Sequence, residues 1–261
     1  MNEDLIRSEL NEGILTLKLN RPDKFNSFTE PMAGQLQQTF IEAQNKAEIR
    51  CVMLTGEGKA FCAGQDLSEV VKKDDNYELG NTVRNSYNPI IKAIRHLGKP
   101  VVCAVNGTAA GAGANIAFAC DIILASNEAV FVQSFSKIGL IPDSSGTYFL
   151  PRLVGLQRTN AMYLLDEKIY AEKAAEIGLI YKAVEAEELI NEAKQICGKL
   201  AALPTKGFAL YKQAVNQSFS NGLKEQLELE AELQTKAGNT RDYKEGVQAF
   251  LEKRKPKFEG R

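Results

Sequence analysis

The feature that most constrains the fold is an apolar strand that runs into a turn of small residues and then into a helix. Residues 100–105 are apolar throughout, and Asn106-Gly107 ends the predicted strand. The run Gly111-Ala112-Gly113 follows and opens a helix predicted over residues 112–120. Small residues are typical of places where the backbone comes close to a neighbour or a ligand. Because strand and helix segments alternate on both sides of this turn, the sequence predicts an α/β architecture.

Hydrophobic periodicity predicts the elements around that turn. Residues 14–20 alternate apolar and polar side chains, as a half-exposed strand does, and residues 29–45 have the spacing of a helix. The other segments predicted before residue 155 are strands at 51–54 and 122–125, a helix at 84–97 and a hairpin-like piece at 129–132. Later residues are predicted to be mainly helical, over 158–165, 171–176, 187–202, 204–218, 223–237 and 240–253.

A polar stretch over residues 68–81 interrupts these elements. It contains the run Lys72-Lys73-Asp74-Asp75-Asn76, which has no apolar periodicity. Exposed polar segments of this kind form surface loops, and such loops often cover binding sites. We predict a solvated loop here, in a position to act as a lid.

Composition and charge exclude several classes of function. With 261 residues, 44% of them hydrophobic, the chain is long enough to bury a full core. A net charge of -1 gives no electrostatic reason to expect nucleic acid or an anionic membrane as a partner. No run approaches the ~20 apolar residues of a membrane span, and the acidic N-terminus shows no targeting signal. The five cysteines, with no CxxC, are predicted to be buried thiols of a cytoplasmic protein.

The single histidine restricts the catalytic chemistry. His96 lies at the end of a predicted helix, where a histidine is more often a cap that interacts with the helix dipole than a catalyst. One histidine and scattered cysteines assemble neither a Ser-His-Asp set nor a metal-ligand cluster. We therefore expect no metal site and no redox cofactor.

Two turns are candidates for binding an oxyanion through the backbone. The segment Phe61-Cys62-Ala63-Gly64 ends one strand, and Gly111-Ala112-Gly113 opens the helix described above. Two converging backbone N–H groups are what an enolate or a thioester oxyanion requires. Taken alone, each segment is more often a plain tight turn that permits close packing, since glycine-rich motifs have low specificity.

Asp143 is the candidate acid or base. It follows Ile141-Pro142 and precedes Ser144-Ser145-Gly146. In one interpretation the carboxylate caps a turn or a helix by accepting backbone N–H bonds. In the other it faces an apolar pocket, which raises its pKa and suits it to move a proton on carbon.

These motifs together resemble the crotonase (enoyl-CoA hydratase/isomerase) superfamily. FCAGQDL at 61–67, AVNG at 104–107, GAGAN at 111–115 and IGLIPDSSGT at 138–147 occur in the order and spacing of that family. The resemblance runs from about Ile14 to the C-terminus. It implies an α/β crotonase (ClpP-like) fold with a ββα spiral core over residues 1–195. The helical region over 196–261 is then expected to mediate assembly into a homotrimer, or a hexamer made of two trimers.

The resemblance assigns catalytic roles to three residues. In that family the N–H groups matching Ala63 and Ala112 bind the thioester oxygen, and an aspartate matching Asp143 serves as acid and base in the isomerase branch. Hydratases of the family carry glutamates at the positions of Asn115 and Phe135, and this chain has neither. We therefore predict isomerisation of an acyl-CoA thioester, which needs one carboxylate, and not hydration, which needs two.

The resemblance also implies a site for CoA, which is part of the substrate and not a separate cofactor. Two of the expected residues lie in the basic tail, which either reaches the CoA of a neighbouring subunit or stays solvated. The predicted CoA-binding residues are Arg21, Lys24, Phe25, Ala63, Gly64, Gln65, Asp66, Leu67, Lys255 and Phe258.

Residues 131–143 and 242–258 look most like the isomerases of bacterial phenylacetate degradation within the superfamily. This likeness implies conversion of 1,2-epoxyphenylacetyl-CoA to oxepin-CoA. Phe131, Phe135, Tyr148 and Phe149 then form either an aromatic wall for that substrate or plain core. The alternatives are a Δ3,Δ2-enoyl-CoA isomerase of fatty-acid oxidation and a catalytically silent CoA-binding member of the family.

Overall fold

The computed structural model describes residues 4–71 and 77–261. It is a mixed α/β structure, as predicted, with a six-stranded and a four-stranded sheet surrounded by helices. Residues 72–76, in the middle of the predicted lid, lie outside the described residues. Short helices occur on both sides of them, Leu67–Val70 and Leu79–Thr82, so the prediction of loop throughout 68–81 is too broad.

The strands in the described residues are β1 (Ile6–Asn11), β2 (Ile14–Leu19), β3 (Cys51–Gly56), β4 (Ala60–Cys62), β5 (Val101–Val105), β6 (Thr108–Ala110), β7 (Ile122–Ser126), β8 (Val130–Val132), β9 (Ile169–Tyr170) and β10 (Lys182–Val184). The larger sheet has the order β1-β2-β3-β5-β7-β10, and the smaller has the order β4-β6-β8-β9. The pairs β1–β2 and β8–β9 are antiparallel, and all the other neighbours are parallel.

The helices flank the two sheets and then form a C-terminal layer. Those in the described residues are α1 (Glu30–Asn45), α2 (Leu67–Val70), α3 (Leu79–Thr82), α4 (Asn88–His96), α5 (Ala112–Phe118), α6 (Gly146–Leu164), α7 (Ala171–Glu176), α8 (Leu189–Ala201), α9 (Thr205–Ser218), α10 (Leu223–Gly238) and α11 (Arg241–Leu251). A π-helical segment, Val83–Tyr87, joins α3 to α4.

The central strands β3, β5 and β7 of the larger sheet are buried on both faces, which explains their continuous apolar sequences. In β3, Val52 and Leu54 face the main core, which also holds apolar residues of α1 and α4. The alternate residues Cys51 and Met53 face a second core, against α8. Because successive side chains of a strand point to opposite faces, both sets must be apolar. This double burial fixes β3 and β5, and each leads through a short turn into a strand of the smaller sheet, β4 or β6, from which a site turn emerges.

The smaller sheet was not predicted, because its strands are too short to show a period. Strands β4 and β6 have three residues each. The piece at 129–132 was predicted to be hairpin-like, next to β7. In the structure it contains β8, which pairs in parallel with β6 and not with β7. Strand β1 was also missed, since five of its six side chains are exposed and carry no alternation.

The C-terminal helices leave apolar side chains uncovered in a single chain. Leu223 is 78% exposed and Phe250 is 83% exposed. Helices α9 and α10 pack on each other and line a groove of about 880 Å³. The predicted boundary between residues 1–195 and 196–261 falls inside α8, and the division into two regions stays a prediction.

Three further properties concern the whole described chain. All five cysteines are buried free thiols, as predicted. No helix within residues 4–71 and 77–261 is long and apolar enough to cross a membrane. Within the same ranges, no three His, Cys, Asp or Glu side chains are grouped so that they could hold a metal ion.

Candidate active site

The turn that follows β4 packs against the turn that opens α5. Gly64 has a φ of +88°, a conformation that favours glycine. A β-carbon at Gly64 would lie 3.0 Å from the Ala110 carbonyl oxygen and 3.5 Å from the Ala112 nitrogen. At Gly113, a β-carbon would lie 2.6 Å from the Sγ of Cys62. The glycines therefore allow the two turns predicted to bind an oxyanion to meet.

The first turn offers the amide of Gln65, not that of Ala63. The Ala63 N–H donates to the Phe25 carbonyl at 2.9 Å, so it is already occupied. Gln65 forms a parallel bridge with Phe28, in which Phe28 bonds the residues on either side of Gln65. The Gln65 N–H therefore points away from Phe28, and it has no partner among the described residues. The N–H of the predicted donor, Ala63, is thus not available, and the unpaired amide of this turn is that of Gln65.

The second turn offers the amide of Ala112. This N–H begins α5 and has no partner within the part of the chain that the structure describes. Gly111, directly before it, has a φ of +51° and donates its own N–H to the Val132 carbonyl at 2.9 Å. The strained glycine thus directs the chain so that the next amide is left unpaired. Two unpaired amides on touching turns can together bind an anionic oxygen.

Asp143 lies half-buried, just before α6. The Ser144 hydroxyl donates to its Oδ1 at 2.9 Å, and the carboxylate caps no amide of α6. Among the described residues, no lysine or arginine forms an ion pair with it. Burial raises the pKa of Asp143 above its ordinary value, and the Ser144 bond opposes that rise. These contacts favour a proton-transfer group over the helix cap that was the other interpretation.

Tyr87 contacts the first turn. Its hydroxyl donates to the Oε1 of Gln65. Burial raises the pKa of Tyr87, and the negative charge of Asp143 adds to the rise. The Asp143 carboxylate therefore lies within electrostatic range of the hydroxyl that holds Gln65.

Asn115, at the position of a hydratase glutamate, has a structural role. Its side chain is fully buried, and its Nδ2 donates to the Asp143 main-chain carbonyl at 2.9 Å. The Nε2 of Gln133 donates to the Oδ1 of Asn115 at 3.0 Å. A β-carbon at Gly146 would lie 2.4 Å from the Asn115 amide nitrogen, so the amide fits tightly. The amide of Asn115 therefore holds the backbone of Asp143 and is not free for proton transfer.

The aromatic residues near Asp143 in sequence do not form one wall. Phe135 is 7% exposed and lies close to Gly111, beside the second turn. Phe131 is fully buried in the main core against Phe118. Tyr148 packs instead on Phe149 and on Phe219, the residue directly after α9, with ring centroids 5.1 and 5.7 Å apart. Only the first of these rings is therefore placed to border the candidate site.

Comparison with known proteins establishes the family. Residues 9–261 match the family model described as enoyl-CoA hydratase/isomerase. The chain belongs to this family. A 1,2-epoxyphenylacetyl-CoA isomerase of Escherichia coli K12 is 45% identical over 260 residues, which cover 99% of each protein. A trans-2-decenoyl-(acyl-carrier-protein) isomerase of Streptococcus mutans is 36% identical over 97% of each.

Solved structures agree with this assignment. The crystal structure of an enoyl-CoA hydratase from Bacillus anthracis matches with a TM-score of 0.91 and 31% identity. It covers 98% of this chain and 100% of that chain. The predicted crotonase fold is therefore confirmed. The chain is an enzyme of the enoyl-CoA hydratase/isomerase family, whose members act on acyl-CoA thioesters.

The residues predicted to bind CoA near the first turn have two different surroundings in this family member. Arg21 forms an ion pair with Asp66 at 2.9 Å and also donates to the Ser27 carbonyl. Lys24 and Phe25 are exposed, the latter by 56%. Arg21 therefore holds the turn together through Asp66, and the two exposed residues form the outer surface beside it. Leu67 begins α2 and is half exposed.

The basic tail folds back on α11 within the single chain. The ring of Phe258 lies against Gly246, where a β-carbon would be 3.4 Å from it. Asp242 accepts the N–H groups of Glu259 and Gly260 at 2.7 and 2.8 Å. Lys255 is exposed. Neither predicted tail residue contacts the first turn of its own chain within the described residues, so their contact with CoA stays a prediction.

Two residues of the site were missed by sequence reasoning. Gln133 carried a weak signal, since it is a polar residue directly after the apolar run that forms β8. Tyr87 carried none, because an aromatic residue inside a predicted helix is ordinary core. Only the folded structure brings it to Gln65, which lies 22 residues earlier.

Proposed function

We propose that this enzyme is an acyl-CoA isomerase in which Asp143 moves one proton, while the Gln65 and Ala112 amides bind the thioester oxygen. The observation that carries the proposal is a single half-buried carboxylate with a raised pKa and no cationic partner among the described residues. A carboxylate in such surroundings binds a proton more readily than one in water. It is thus suited both to take a proton from carbon and to give it back.

The proposed steps follow from these groups. Hydrogen bonds to the thioester oxygen acidify the neighbouring C–H bond, because the enolate that forms places its charge on that oxygen. The Asp143 carboxylate takes this proton, and the electron pair of the C–H bond becomes part of the enolate. The protonated Asp143 then returns the proton to a carbon further along the conjugated system. The double bond moves, and no atom is gained or lost.

Hydration is disfavoured by the two positions that differ from a hydratase. Asn115 is committed to the Asp143 carbonyl and to Gln133. Phe135 offers a ring that cannot transfer protons. Asp143 alone would then have to activate the water as a base and protonate the substrate carbon as an acid. A single carboxyl group would have to serve two different reactants.

For the substrate we propose 1,2-epoxyphenylacetyl-CoA, which would be isomerised to oxepin-CoA. The carbon–carbon bond of the epoxide would open and its electron pair would become part of the ring double bonds, both C–O bonds would be kept, and Asp143 would move a proton from the carbon beside the thioester to a ring carbon. Support comes from the relative at 45% identity that carries this activity in its name, and from Phe135 beside the second turn. A second candidate is a Δ3,Δ2-enoyl-CoA isomerase. Its support is the relative at 36% identity that is named as a decenoyl isomerase.

The proposal includes assembly into a homotrimer or a hexamer. Uncovered apolar side chains of α10 and α11, such as Leu223 and Phe250, support burial against further copies. In such an assembly Lys255 and Phe258 of one copy would bind the CoA of a neighbour. CoA would enter as part of the substrate, with no separate cofactor and no metal in the reaction.

The test is turnover of separate substrates by the purified protein. A 3-enoyl-CoA, crotonyl-CoA and 1,2-epoxyphenylacetyl-CoA are each supplied, and the conjugated-enoyl absorbance and the products are followed. We expect isomerisation of the first and third substrates without hydration of crotonyl-CoA. Turnover of the 3-enoyl-CoA alone would select the second candidate. Hydration at a comparable rate would refute the single-proton mechanism, and binding without any turnover would identify a catalytically silent CoA-binding protein.

A further inference from the structure

We propose that Tyr87 is a positioning residue for the reaction. It fixes the side chain of Gln65 and thereby holds the Gln65 amide in the direction from which it meets the thioester oxygen. This inference rests on the proposed function, because it assigns Tyr87 a task in the same site. Three independent features of the structure support it: the contacts of the Gln65 side chain, the burial of Tyr87, and the irregular helix that carries Tyr87.

The side-chain amide of Gln65 is held at both ends. Its Oε1 accepts the hydroxyl proton of Tyr87, and its Nε2 donates to the Phe28 carbonyl at 3.4 Å. The Phe28 carbonyl also accepts the Asp66 N–H at 2.9 Å. The long side chain, which would otherwise rotate freely, is thereby tied to the backbone beside its own amide. A loss of either tie lets the Gln65 backbone tilt.

Tyr87 itself is fixed by burial. It is 2% exposed, and its ring packs edge-on against Phe28 with centroids 6.0 Å apart. A buried phenol needs a hydrogen-bond partner, and Gln65 supplies it. The ring and the hydroxyl thus contact the two residues that form the bridge of the first turn. Tyr87 therefore holds both residues of this bridge, Phe28 through its ring and Gln65 through its hydroxyl.

The helix that carries Tyr87 has an irregular turn at this place. Residues Val83–Tyr87 form a π-helical segment between α3 and α4, and π-segments are frequent at functional sites. Such a segment leaves backbone carbonyls without helical partners. The Nε2 of Gln37 in α1 donates to the carbonyls of Asn85 and Ser86, at 3.1 and 2.9 Å. The irregular turn is thus stabilised from outside, and it directs the Tyr87 side chain toward the first turn.

The hydroxyl of Tyr87 has no direct contact with a substrate in this proposal. Asp143 moves the proton, and the amides of Gln65 and Ala112 bind the oxygen. Removal of the hydroxyl should therefore weaken oxygen binding in the transition state more than it weakens binding of the whole CoA ester. The expected sign is a lower kcat with little change in KM.

The first experiment is a double-mutant cycle with Tyr87→Phe and Gln65→Met, measured as kcat and KM for the 3-enoyl-CoA. Each single variant is expected to lower kcat about tenfold, less than the roughly 100- to 1000-fold loss when an oxyanion donor is removed outright. The double variant should be no slower than either single one, because both changes break the same hydrogen bond. Tyr148→Phe, which removes the hydroxyl of an aromatic residue packed on Phe219, is the matched control.

The second experiment reads oxygen binding without turnover. Hexadienoyl-CoA, a conjugated thioester, is bound to the Asp143→Asn variant with and without Tyr87→Phe, and the red shift of its absorption is recorded. Hydrogen bonds to the thioester oxygen cause such a shift, so we expect a smaller shift when the Tyr87 hydroxyl is absent.

Additive losses in the cycle, or an equal red shift with and without the Tyr87 hydroxyl, would overturn the positioning role. If Tyr87→Phe does not fold, Gln65→Met tests the same bond from the other side, and an unchanged kcat in that variant refutes the proposal. Full turnover by Asp143→Asn would refute the proposed function instead. The comparison of red shifts would still decide the role of Tyr87, since it does not depend on Asp143 as the base.

Discussion

Two aspartates of this protein have opposite surroundings, and the contrast separates a reactive group from a structural one. Asp121, between α5 and β7, accepts bonds from Arg95 at 3.1 Å and Lys212 at 2.6 Å. It also accepts the Val101 N–H at 2.8 Å. Asp143 has the hydroxyl of its neighbour and its own main-chain N–H, and no cation among the described residues. The first carboxylate is held by two cations, whereas burial raises the pKa of the second, which suits it to bind and release a proton.

One partner of Asp121 is a buried lysine, and its burial opposes its charge. The side chain of Lys212 is only 7% exposed. Burial lowers the pKa of Lys212, and the charge of Asp121 works against this fall. The buried ammonium of Lys212 therefore depends on Asp121 to remain charged inside the protein. This network connects α9 to the sheet, whereas nothing comparable surrounds Asp143 among the described residues.

The largest expected effect comes from Asp143→Asn. Removal of the only proposed acid and base should lower kcat for isomerisation by roughly 10²- to 10⁴-fold. The folded state should be no less stable, because no ion pair is lost. Turnover assays and calorimetric titration with a CoA ester measure both consequences. Retained affinity beside lost turnover is expected; near-normal turnover would end the assignment of Asp143.

Asp121→Asn should show the opposite pattern. It leaves Lys212 and Arg95 without their anion, and we expect a loss of about 2–3 kcal/mol in the free energy of unfolding. Turnover by the protein that remains folded should be unchanged. Denaturant titration measures the loss. The double variant Asp121→Asn with Lys212→Met should recover part of it, since the unpaired buried cation is gone; no recovery would show that the pair is not what stabilises this region.

Asn115→Asp tests the tie that holds Asp143 in place, with a smaller effect. An ionised aspartate at this position has no proton to donate to the Asp143 carbonyl, so at neutral pH we expect a loss of about 1–3 kcal/mol in stability and a lower kcat. Thermal unfolding measures the loss of stability, and turnover of the 3-enoyl-CoA measures the fall in kcat. Gln133→Met is the comparison: it removes the bond donated to Asn115 but keeps the Asn115 bond to the Asp143 carbonyl, and the Oε1 that it also removes has no partner among the described residues, so we expect a smaller loss. Equal losses in both variants would contradict the role given to Asn115.

The sequence predicted the parts of the site that depend on residue type. Gly64 and Gly113 indicated a close approach of two turns, and both allow such an approach in the structure. The lone carboxylate at Asp143 and the missing glutamates at Asn115 and Phe135 are likewise properties of single positions. Because these features depend on neither direction nor pairing, the residue types alone are enough to predict them.

The parts of the site that were missed depend on where a backbone N–H or a side chain points. Ala63 and Gln65 are two residues apart in the same turn, and residue type does not tell which N–H is free. That is decided by the bond from Ala63 to Phe25 and by the bridge from Gln65 to Phe28. Tyr87 depends in the same way on a π-helical turn that no periodicity reveals. Tertiary pairing sets the geometry here, and local patterns do not encode it.

The smallest expected effect is the contribution of Asp143 to the pH dependence of stability. Its folded pKa is raised, so the folded state binds the proton more tightly than the unfolded state. The cost of keeping Asp143 ionised in the fold is therefore fully present above the folded pKa, and it is lost as the pH falls toward the unfolded pKa. The free energy of unfolding of Asp143→Asn should exceed that of the natural protein at neutral pH, and the difference should vanish in acid.

Comparison of the two proteins isolates this group, since every other carboxylate titrates alike in both. The same pKa should set the acid limb of kcat/KM, because the base must be ionised in the free enzyme. Both measurements should therefore give a midpoint above that of an ordinary aspartate. An acid limb at the ordinary value, or a stability difference that grows in acid, would mean that Asp143 is solvated like a surface carboxylate. In that case the contrast with Asp121 would be one of partners alone and not of reactivity.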